Sequence, residues 1–168
     1  GDVYITGGIS DKGAVYWKNG EAITLENNDP YNSIAYKIFL DESDIYICGY
    51  IGNKAVYWKN GSLNYLSGGV NNTVAYSIFV KDSIIHLVGI EKDKSSMSKA
   101  VYWKNGQFQY LSGSISTAED IVIVDQDVYI TGDVVKANND SKAVYWKNGV
   151  EHTLADVGNA TSIFAVKK

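Results

Sequence analysis

The hydrophobic and polar positions of this chain form short runs, each bounded by Gly, Asn, Asp or Ser. Residues 75–80 (AYSIFV), for example, are followed in turn by the runs DSIIHLVG, KAVYWKNG and QFQYL, with only a few residues between them. Short runs rich in Val, Ile, Tyr and Phe and separated by turn residues are typical of β-strands joined by hairpins. The pattern therefore predicts an all-β protein built from many short antiparallel strands.

The same set of runs returns along the chain. The heptapeptide AVYWKNG, whose Trp residues lie 41, 45 and 43 positions apart, occurs at 14–20, 55–61, 100–106 and 143–149. The two ends also complete the series, because the C-terminal TSIFAVKK followed by the N-terminal GDVYITGG matches the internal sequence at 36–50. We therefore interpret residues 1–168 as one domain of four repeats of about 42 residues, cut inside a repeat.

Every copy of the heptapeptide ends in Asn-Gly. This dipeptide tolerates positive φ at both central residues of a type I′ hairpin turn. The turn alone accounts, without any ligand, for Asn19-Gly20, Asn60-Gly61, Asn105-Gly106 and Asn148-Gly149.

Four strands per repeat around a ring with matched ends predict a four-bladed β-propeller, with four antiparallel strands in each blade. In chain order we name the strands of a repeat A (SIFV type), B (VYITG type), C (AVYWKNG) and D (the short strand that follows). The chain begins at strand B of one blade, and we expect strand A of that blade at 160–166, paired with residues 2–6. This pairing would close the ring and remove the open edge between the first and last repeats.

The pattern A-x-S-I-F-V, D-V-Y-I-T-G, A-V-Y-W-K-N-G resembles the WKNG-type β-propeller repeats of extracytoplasmic bacterial proteins, a largely uncharacterised family. The resemblance covers the entire chain and implies a propeller fold and a location outside the cytoplasm: secreted, periplasmic or surface-anchored. It implies no activity, because propellers host many unrelated functions. The third repeat departs from the pattern, with residues 119–122 (EDIV) replacing Tyr-Ser-Ile-Phe and His86 replacing the strand-B Tyr, which argues against four identical sites.

The four Trp residues of the C strands are expected to be buried between neighbouring blades: Trp17, Trp58, Trp103 and Trp146. Side chains alternate along a strand, and propeller blades pack against a neighbour on both faces. Large aromatic rings fill such gaps efficiently. In the alternative interpretation, exposed Trp faces stack on sugar rings, and the protein is a multivalent carbohydrate-binding lectin.

Binding is expected on the face of the disc that carries the B–C and D–A connections, which we call the variable-loop face. These connections differ in length and chemistry between repeats, whereas the A–B and C–D turns are short and nearly constant. Variable loops on a rigid scaffold are where binding usually occurs. The candidate ligand-binding residues in these connections are Tyr31, Tyr50, Asn28, Asp29, Asn71, Asn72, Asn138 and Asn139. The alternative is that such polar residues serve only as turn formers.

The central channel is a second candidate site, because strand A is the innermost strand of each blade and lines the axis. Equivalent positions near the start of the four A strands hold Lys37, Ser77, Asp120 and Ser162. Lys37 and Asp120 belong to repeats that face each other across a four-bladed ring. We expect an ion pair or a water-bridged contact between them, with a bound ion or small molecule as the alternative.

Composition argues against several classes of partner and chemistry. All fifteen basic residues are Lys and the net charge is −4, so we expect no nucleic-acid partner, which would favour Arg forks and a basic face. No apolar run approaches the ~18 residues that span a bilayer, so we expect no membrane insertion. Cys48 is the only cysteine, and neither His86 nor His152 has a metal-ligand spacing or an evident Ser or Cys partner. We therefore expect no metal, no cofactor and no catalytic residues.

The sequence favours a non-enzymatic binding module that uses the variable-loop face or the central channel. Its partner is an unknown protein, small molecule or carbohydrate. The multivalent lectin is the first alternative, and a hydrolase or lyase that uses channel carboxylates such as Asp120 is the second. The matched ends are compatible with a self-closed monomer and with a homodimer that exchanges strands.

Overall fold

The computed structural model describes residues 1–66 and 71–167 of the chain. In this part, fifteen β-strands form four antiparallel sheets, and the one helical element is a 3₁₀ turn at Pro30–Asn32. The strands are β1 (Tyr4–Ile9), β2 (Gly13–Lys18), β3 (Glu21–Thr24), β4 (Ser33–Asp41), β5 (Asp44–Ile51), β6 (Lys54–Lys59), β7 (Ser62–Tyr65), β8 (Asn72–Lys81), β9 (Ile84–Lys92), β10 (Ser98–Lys104), β11 (Gln107–Tyr110), β12 (Ser116–Val124), β13 (Asp127–Val135), β14 (Ser141–Lys147) and β15 (Val150–Ala155). The predicted all-β fold is confirmed.

Each sheet is formed by strands that follow one another in the chain. The first sheet has the order β1-β2-β3, and the other three each contain four strands: β4 to β7, β8 to β11 and β12 to β15. The second, third and fourth sheets thus show the predicted A-B-C-D order. The first sheet contains strands B, C and D alone.

The Asn-Gly turns have the predicted conformation, and the Asn side chains also hold the sheet together. In the first turn Asn19 and Gly20 have φ values of 52° and 88°, and the other three copies are alike. Asn19 Oδ1 accepts a hydrogen bond from the Val3 N–H at 2.8 Å, and the equivalent Asn of each later sheet accepts one from the start of its own B strand. The heptapeptide is therefore repeated for a structural reason, since its last residues join strands B and C.

The innermost strands of the second, third and fourth sheets share a β-bulge. The register of β4 shifts between Ala35 and Lys37, so that Tyr36 is the extra residue, and Tyr76 of β8 and Glu119 of β12 hold the same place. A Gly of strand B lies opposite each bulge. A larger residue does not fit at this position, because its Cβ would lie 1.9 to 2.0 Å from a carbonyl oxygen of the bulged strand. These glycines are Gly49, Gly89 and Gly132.

Substitution of one of these glycines should therefore destabilise the sheet. For Gly89→Ala we expect the free energy of unfolding to fall by about 1–3 kcal/mol, because the new Cβ would lie 1.9 Å from the Val74 carbonyl oxygen and force the bulged strand to move. Gly113→Ala is the control, since nothing lies within 4 Å of that position, and urea unfolding should show a change within about 0.5 kcal/mol. Equal effects for the two variants would contradict this account of the bulge.

Three hydrophobic cores hold neighbouring sheets together. Each combines the residue after the D strand of one sheet with the strand-B and strand-C side chains of the next, as Leu25 does with Ile47 and Trp58. Trp103 and Trp146 occupy the equivalent places in the other two cores. These three Trp side chains are fully buried, as predicted, whereas Trp17 of the first sheet is half-buried.

The closing strand predicted at 160–166 is not formed in this structure. No described residue after Ala155 belongs to a strand, and β1 has a free edge. The segment is held instead by the fourth sheet, with the Ala160 N–H bonded to the Gly132 carbonyl and Lys167 paired with Asp125. The physical reason is that the described residues of the first and fourth sheets share no hydrophobic core that would bring β1 against this segment.

Candidate functional site

One buried carboxylate joins the four predicted channel residues. Asp120 on β12 has a side chain only 5% exposed. Its Oδ1 accepts hydrogen bonds from Lys37 Nζ at 2.9 Å and Ser77 Oγ at 2.7 Å, and its Oδ2 accepts from Ser162 Oγ at 2.9 Å and the Ile163 N–H at 3.1 Å. The predicted Lys37–Asp120 ion pair is present. We call this arrangement the Asp120 hub, and it links strands β4, β8 and β12 with the C-terminal segment.

The hub holds Asp120 in its ionised form. Burial is the largest single influence on its pKa and raises it, but the hydrogen bonds from Lys37, Ser77 and the Ile163 N–H together outweigh burial. The pKa of Asp120 therefore lies below its ordinary value of 3.8. A carboxylate that is ionised and already accepts this many hydrogen bonds is poorly suited to donate or accept a proton in catalysis.

Next to the hub, the three bulged residues and one further tyrosine form a second group, which we call the channel mouth: Tyr36, Tyr50, Tyr76 and Glu119. The ring of Tyr36 lies 5.3 Å from that of Tyr76, edge to face, and 6.1 Å from that of Tyr50. Each bulged residue precedes a hub residue in its strand, on the side where the D–A connection enters. The mouth therefore opens toward the variable-loop face.

The mouth carries negative charge. The Thr117 hydroxyl donates a hydrogen bond to the carboxylate of Asp133, and Asp133 also accepts from Ser141 Oγ at 3.1 Å. Burial, followed by the charge of Asp133, raises the pKa of Glu119 above its ordinary value. Among the described residues, neither Glu119 nor Asp133 takes part in an ion pair.

Two tyrosines of the mouth, Tyr36 and Tyr76, are held in their neutral form. Burial, with the neighbouring Tyr36 and Glu119 as the next causes, raises the pKa of Tyr76 to about 12. Burial followed by the neighbouring Tyr50 raises the pKa of Tyr36 as well. The mouth thus combines the neutral rings of Tyr36 and Tyr76 with the carboxylate of Glu119.

Three of the predicted loop residues lie close together in the D–A connection that follows β3. Tyr31 is 82% exposed and borders a cavity of about 450 Å³ with Pro30. Asn28 and Asp29 border a second cavity of about 490 Å³, which Tyr65 and residues 51–54 also line. Asn28 Oδ1 already accepts a hydrogen bond from the Tyr65 hydroxyl at 3.0 Å.

The remaining predicted loop residues do not join this group. The backbone N–H and the side-chain amide of Asn71 both bond to Glu91 Oε1, and Asn72 is an exposed residue of β8. Asn138 and Asn139 form a turn, in which Asn138 bonds to Asp140 and Asn139 has a φ of 66°. For Asn138 and Asn139 the turn-forming alternative describes the structure.

Tyr50 was predicted as a loop contact, and the structure places it at the channel mouth. Sequence reasoning did not single out Tyr36, Tyr76 and Glu119 as candidate ligand-binding residues. The repeated Gly of strand B was the available signal, because a Gly inside a strand often marks a bulge. A bulge on the innermost strand would have placed the residue after the repeat Ala at the channel.

No group of three or more His, Cys, Asp or Glu side chains suited to hold a metal ion occurs within residues 1–66 and 71–167. In the same part of the chain, no helix has the length and apolar character needed to cross a membrane. No protein-family model matches the chain, and the comparison with curated proteins gives no significant match.

Proposed function

We propose that this protein is a four-bladed β-propeller that acts as a non-enzymatic binding module, with its site at the channel mouth and the adjoining variable loops. The observation that carries the proposal is the convergence of Tyr36, Tyr76 and Glu119 from three successive sheets, joined by Tyr50. The Asp120 hub closes the channel beside them. Ligand sites typically combine aromatic side chains with a few convergent polar groups.

The propeller part of the proposal depends on closure of the ring between the first and fourth sheets. Ile5 is 56% exposed and Leu154 is 57% exposed, although the equivalent Ile47 and Leu25 of an existing core are each 1% exposed. Phe164 is 86% exposed. Two apolar surfaces of one molecule that repeat the halves of an existing core are expected to associate, because burying them removes apolar area from water.

The registers of the other sheets specify how the closing strand would pair. In the second sheet Lys37 lies opposite Cys48 and Phe39 opposite Tyr46. The same register would place Ser162 opposite Thr6 and Phe164 opposite Tyr4. Thr161 would then be the fourth bulged residue and would complete the wall of the channel mouth.

The two alternative functions receive less support from the geometry. The rings of Trp58, Trp103 and Trp146 are fully buried, so they offer no face to a sugar. Asp120 is ionised and saturated with donors, which counts against a hydrolase or lyase built on it. We propose a protein or small molecule as the partner and, on the resemblance of the repeats, a location outside the cytoplasm.

A ligand screen with two variants tests this proposal. Sugars, nucleotides, divalent ions, ammonium compounds and short peptides are added to the purified chain, and the melting temperature is measured. A ligand at 100 times its Kd should add about 2.7 kcal/mol of stability. We expect the stabilisation to be lost in Tyr36→Ala and retained in Gln126→Ala, an exposed position in the turn between β12 and β13 on the opposite face. The reverse result, or turnover that Asp120→Asn abolishes, would contradict the proposal.

A further inference from the structure

We propose that the channel mouth binds an organic ammonium cation, with the face of Tyr36 and the carboxylate of Glu119 as its main contacts. This inference rests on the proposed function and names the ligand class of the same site. The group that binds is a substituted ammonium, either on a free small molecule or on the side chain of a partner.

The aromatic part of the mouth is both ordered and accessible. Tyr76 meets Tyr36 edge to face at 5.3 Å and Tyr50 lies 6.1 Å away, so the Tyr36 ring is supported by two neighbours. Tyr36 is nevertheless 43% exposed. The face of an aromatic ring attracts a cation within about 6 Å of its centroid, and grouped rings are the usual recognition element for substituted ammonium ions.

The carboxylates of the mouth lack a compensating positive charge. Asp133 accepts hydrogen bonds from the hydroxyls of Thr117 and Ser141, and both of these donors are uncharged. Neither carboxylate has an ion-pair partner among the described residues. A cation that entered the mouth would supply the missing charge where water is partly excluded and the attraction is stronger than in bulk solvent.

Lys37, the A-strand lysine next to the mouth, does not supply this positive charge. Lys37 follows Tyr36, but its ammonium lies 2.9 Å from Asp120 Oδ1 in the hub. The charge of Lys37 is thus balanced by Asp120, and the mouth keeps the charges of Glu119 and Asp133.

The chemistry of the mouth suits an organic cation better than a metal ion. Calcium takes about six to eight oxygen ligands, and no described residues form a group of three or more candidate metal-binding side chains. Three tyrosine rings with the Glu119 carboxylate beside Tyr76, and Asp133 next to Glu119, match a weakly hydrated ion that gains from apolar contact as well as from charge. This combination distinguishes the site from a general cluster of acidic residues.

The test uses a matched pair of small molecules. Choline carries a quaternary ammonium group, and 3,3-dimethyl-1-butanol is its uncharged isostere with a carbon in place of the nitrogen. In NMR titrations of the full chain, we expect choline to shift the tyrosine signals of the mouth at millimolar concentration and the isostere to leave them unchanged. Glu119→Gln and Tyr36→Ala should each weaken choline binding by about tenfold. The control Gln126→Ala, at an exposed position in the turn between β12 and β13 on the opposite face, should leave it unchanged.

Several results would overturn the inference: no choline binding to the unaltered chain, equal binding of choline and its isostere, calcium binding in place of choline, or choline binding that Glu119→Gln leaves intact. The melting temperature of each variant shows whether it is folded. If Tyr36→Ala does not fold, Tyr36→Phe takes its place, and this variant should retain choline binding because it keeps the aromatic ring. If choline fails but another ligand is still lost in Tyr36→Ala, the proposed binding function stands and the ligand class alone is wrong.

Discussion

Replacing Asp120 with Ala is expected to lower the free energy of unfolding by about 3–5 kcal/mol. The substitution removes one carboxylate that accepts hydrogen bonds from Lys37, Ser77, Ser162 and the Ile163 N–H. The Ser77 hydroxyl, which is buried, would lose this acceptor, and buried donors without partners are costly. Urea unfolding of the variant and the unaltered chain measures the difference.

The matched control is Asp125→Ala, at the start of the turn that follows β12. Asp125 pairs with Lys167 at 3.2 Å, but both side chains are largely exposed, so the loss should stay below about 1 kcal/mol. Ser162→Ala removes one donor of the hub and should cost about 1 kcal/mol. Lys37→Met should also destabilise the chain. If Asp120→Ala and Lys37→Met both behave like the control, the hub has no stabilising role.

The contribution of Asp120 should also depend on pH in one direction. Its folded-state pKa lies below 3.8, so the folded chain holds the ionised form more strongly than the unfolded chain does. The stability it provides is therefore present above the unfolded-state pKa and is lost as the pH falls through the folded-state value. We expect the gap between the unaltered chain and Asp120→Ala to be constant near neutral pH and to shrink below about pH 3.8.

The parts of the fold that could be predicted from the sequence are those set by local geometry or by repetition. Asn19-Gly20 specifies its turn because few other residues tolerate positive φ at both positions. Burial of Trp58 followed from the alternation of side chains in a strand packed on both faces. The Lys37–Asp120 pair could be predicted because equivalent positions of a repeat lie at equivalent places in the sheets.

The channel mouth does not follow from the alternation of side chains, because it depends on a shift in strand register that the strand-B Gly alone signals. Tyr36 and Lys37 are neighbours in the chain, and simple alternation would turn one of them away from the axis. The bulge allows Tyr36 to join Tyr50 and Tyr76 while Lys37 reaches Asp120. Asn71 was placed among the ligand contacts because its partner Glu91, twenty positions later in the chain, lies beyond the reach of local reasoning.

Closure of the ring is the other point that local patterns leave open. The matched ends show that residues 160–166 can serve as strand A, but pairing with β1 also requires the first and fourth sheets to pack together. That packing depends on Ile5, Leu154 and Trp17 meeting across the full length of the chain. The cost of closing a loop of this length grows slowly with length, so the apolar area buried between the two sheets decides the outcome.

Trp17→Ala is therefore expected to lower the free energy of unfolding about as much as Trp58→Ala does, by about 3–5 kcal/mol. The reason is that a closed propeller would bury both Trp side chains equally. In the present structure the two residues differ, since Trp58 is fully buried and Trp17 is half-buried beside the free edge of β1. Trp58→Ala is thus the internal standard for the loss of a buried ring in the same heptapeptide. Urea unfolding of both variants provides the comparison.

A loss of no more than about 1 kcal/mol for Trp17→Ala, with the full loss for Trp58→Ala, would show that the first and fourth sheets do not pack in solution. An equal loss leaves two ways to close the ring. If residues 160–166 pair with β1 of the same chain, the unfolding midpoint is independent of protein concentration. If they pair with β1 of a second copy, the midpoint rises with concentration, because association then stabilises the folded state. In either case the first sheet gains its fourth strand next to β1, Ile5 is buried, and Thr161 completes the channel mouth.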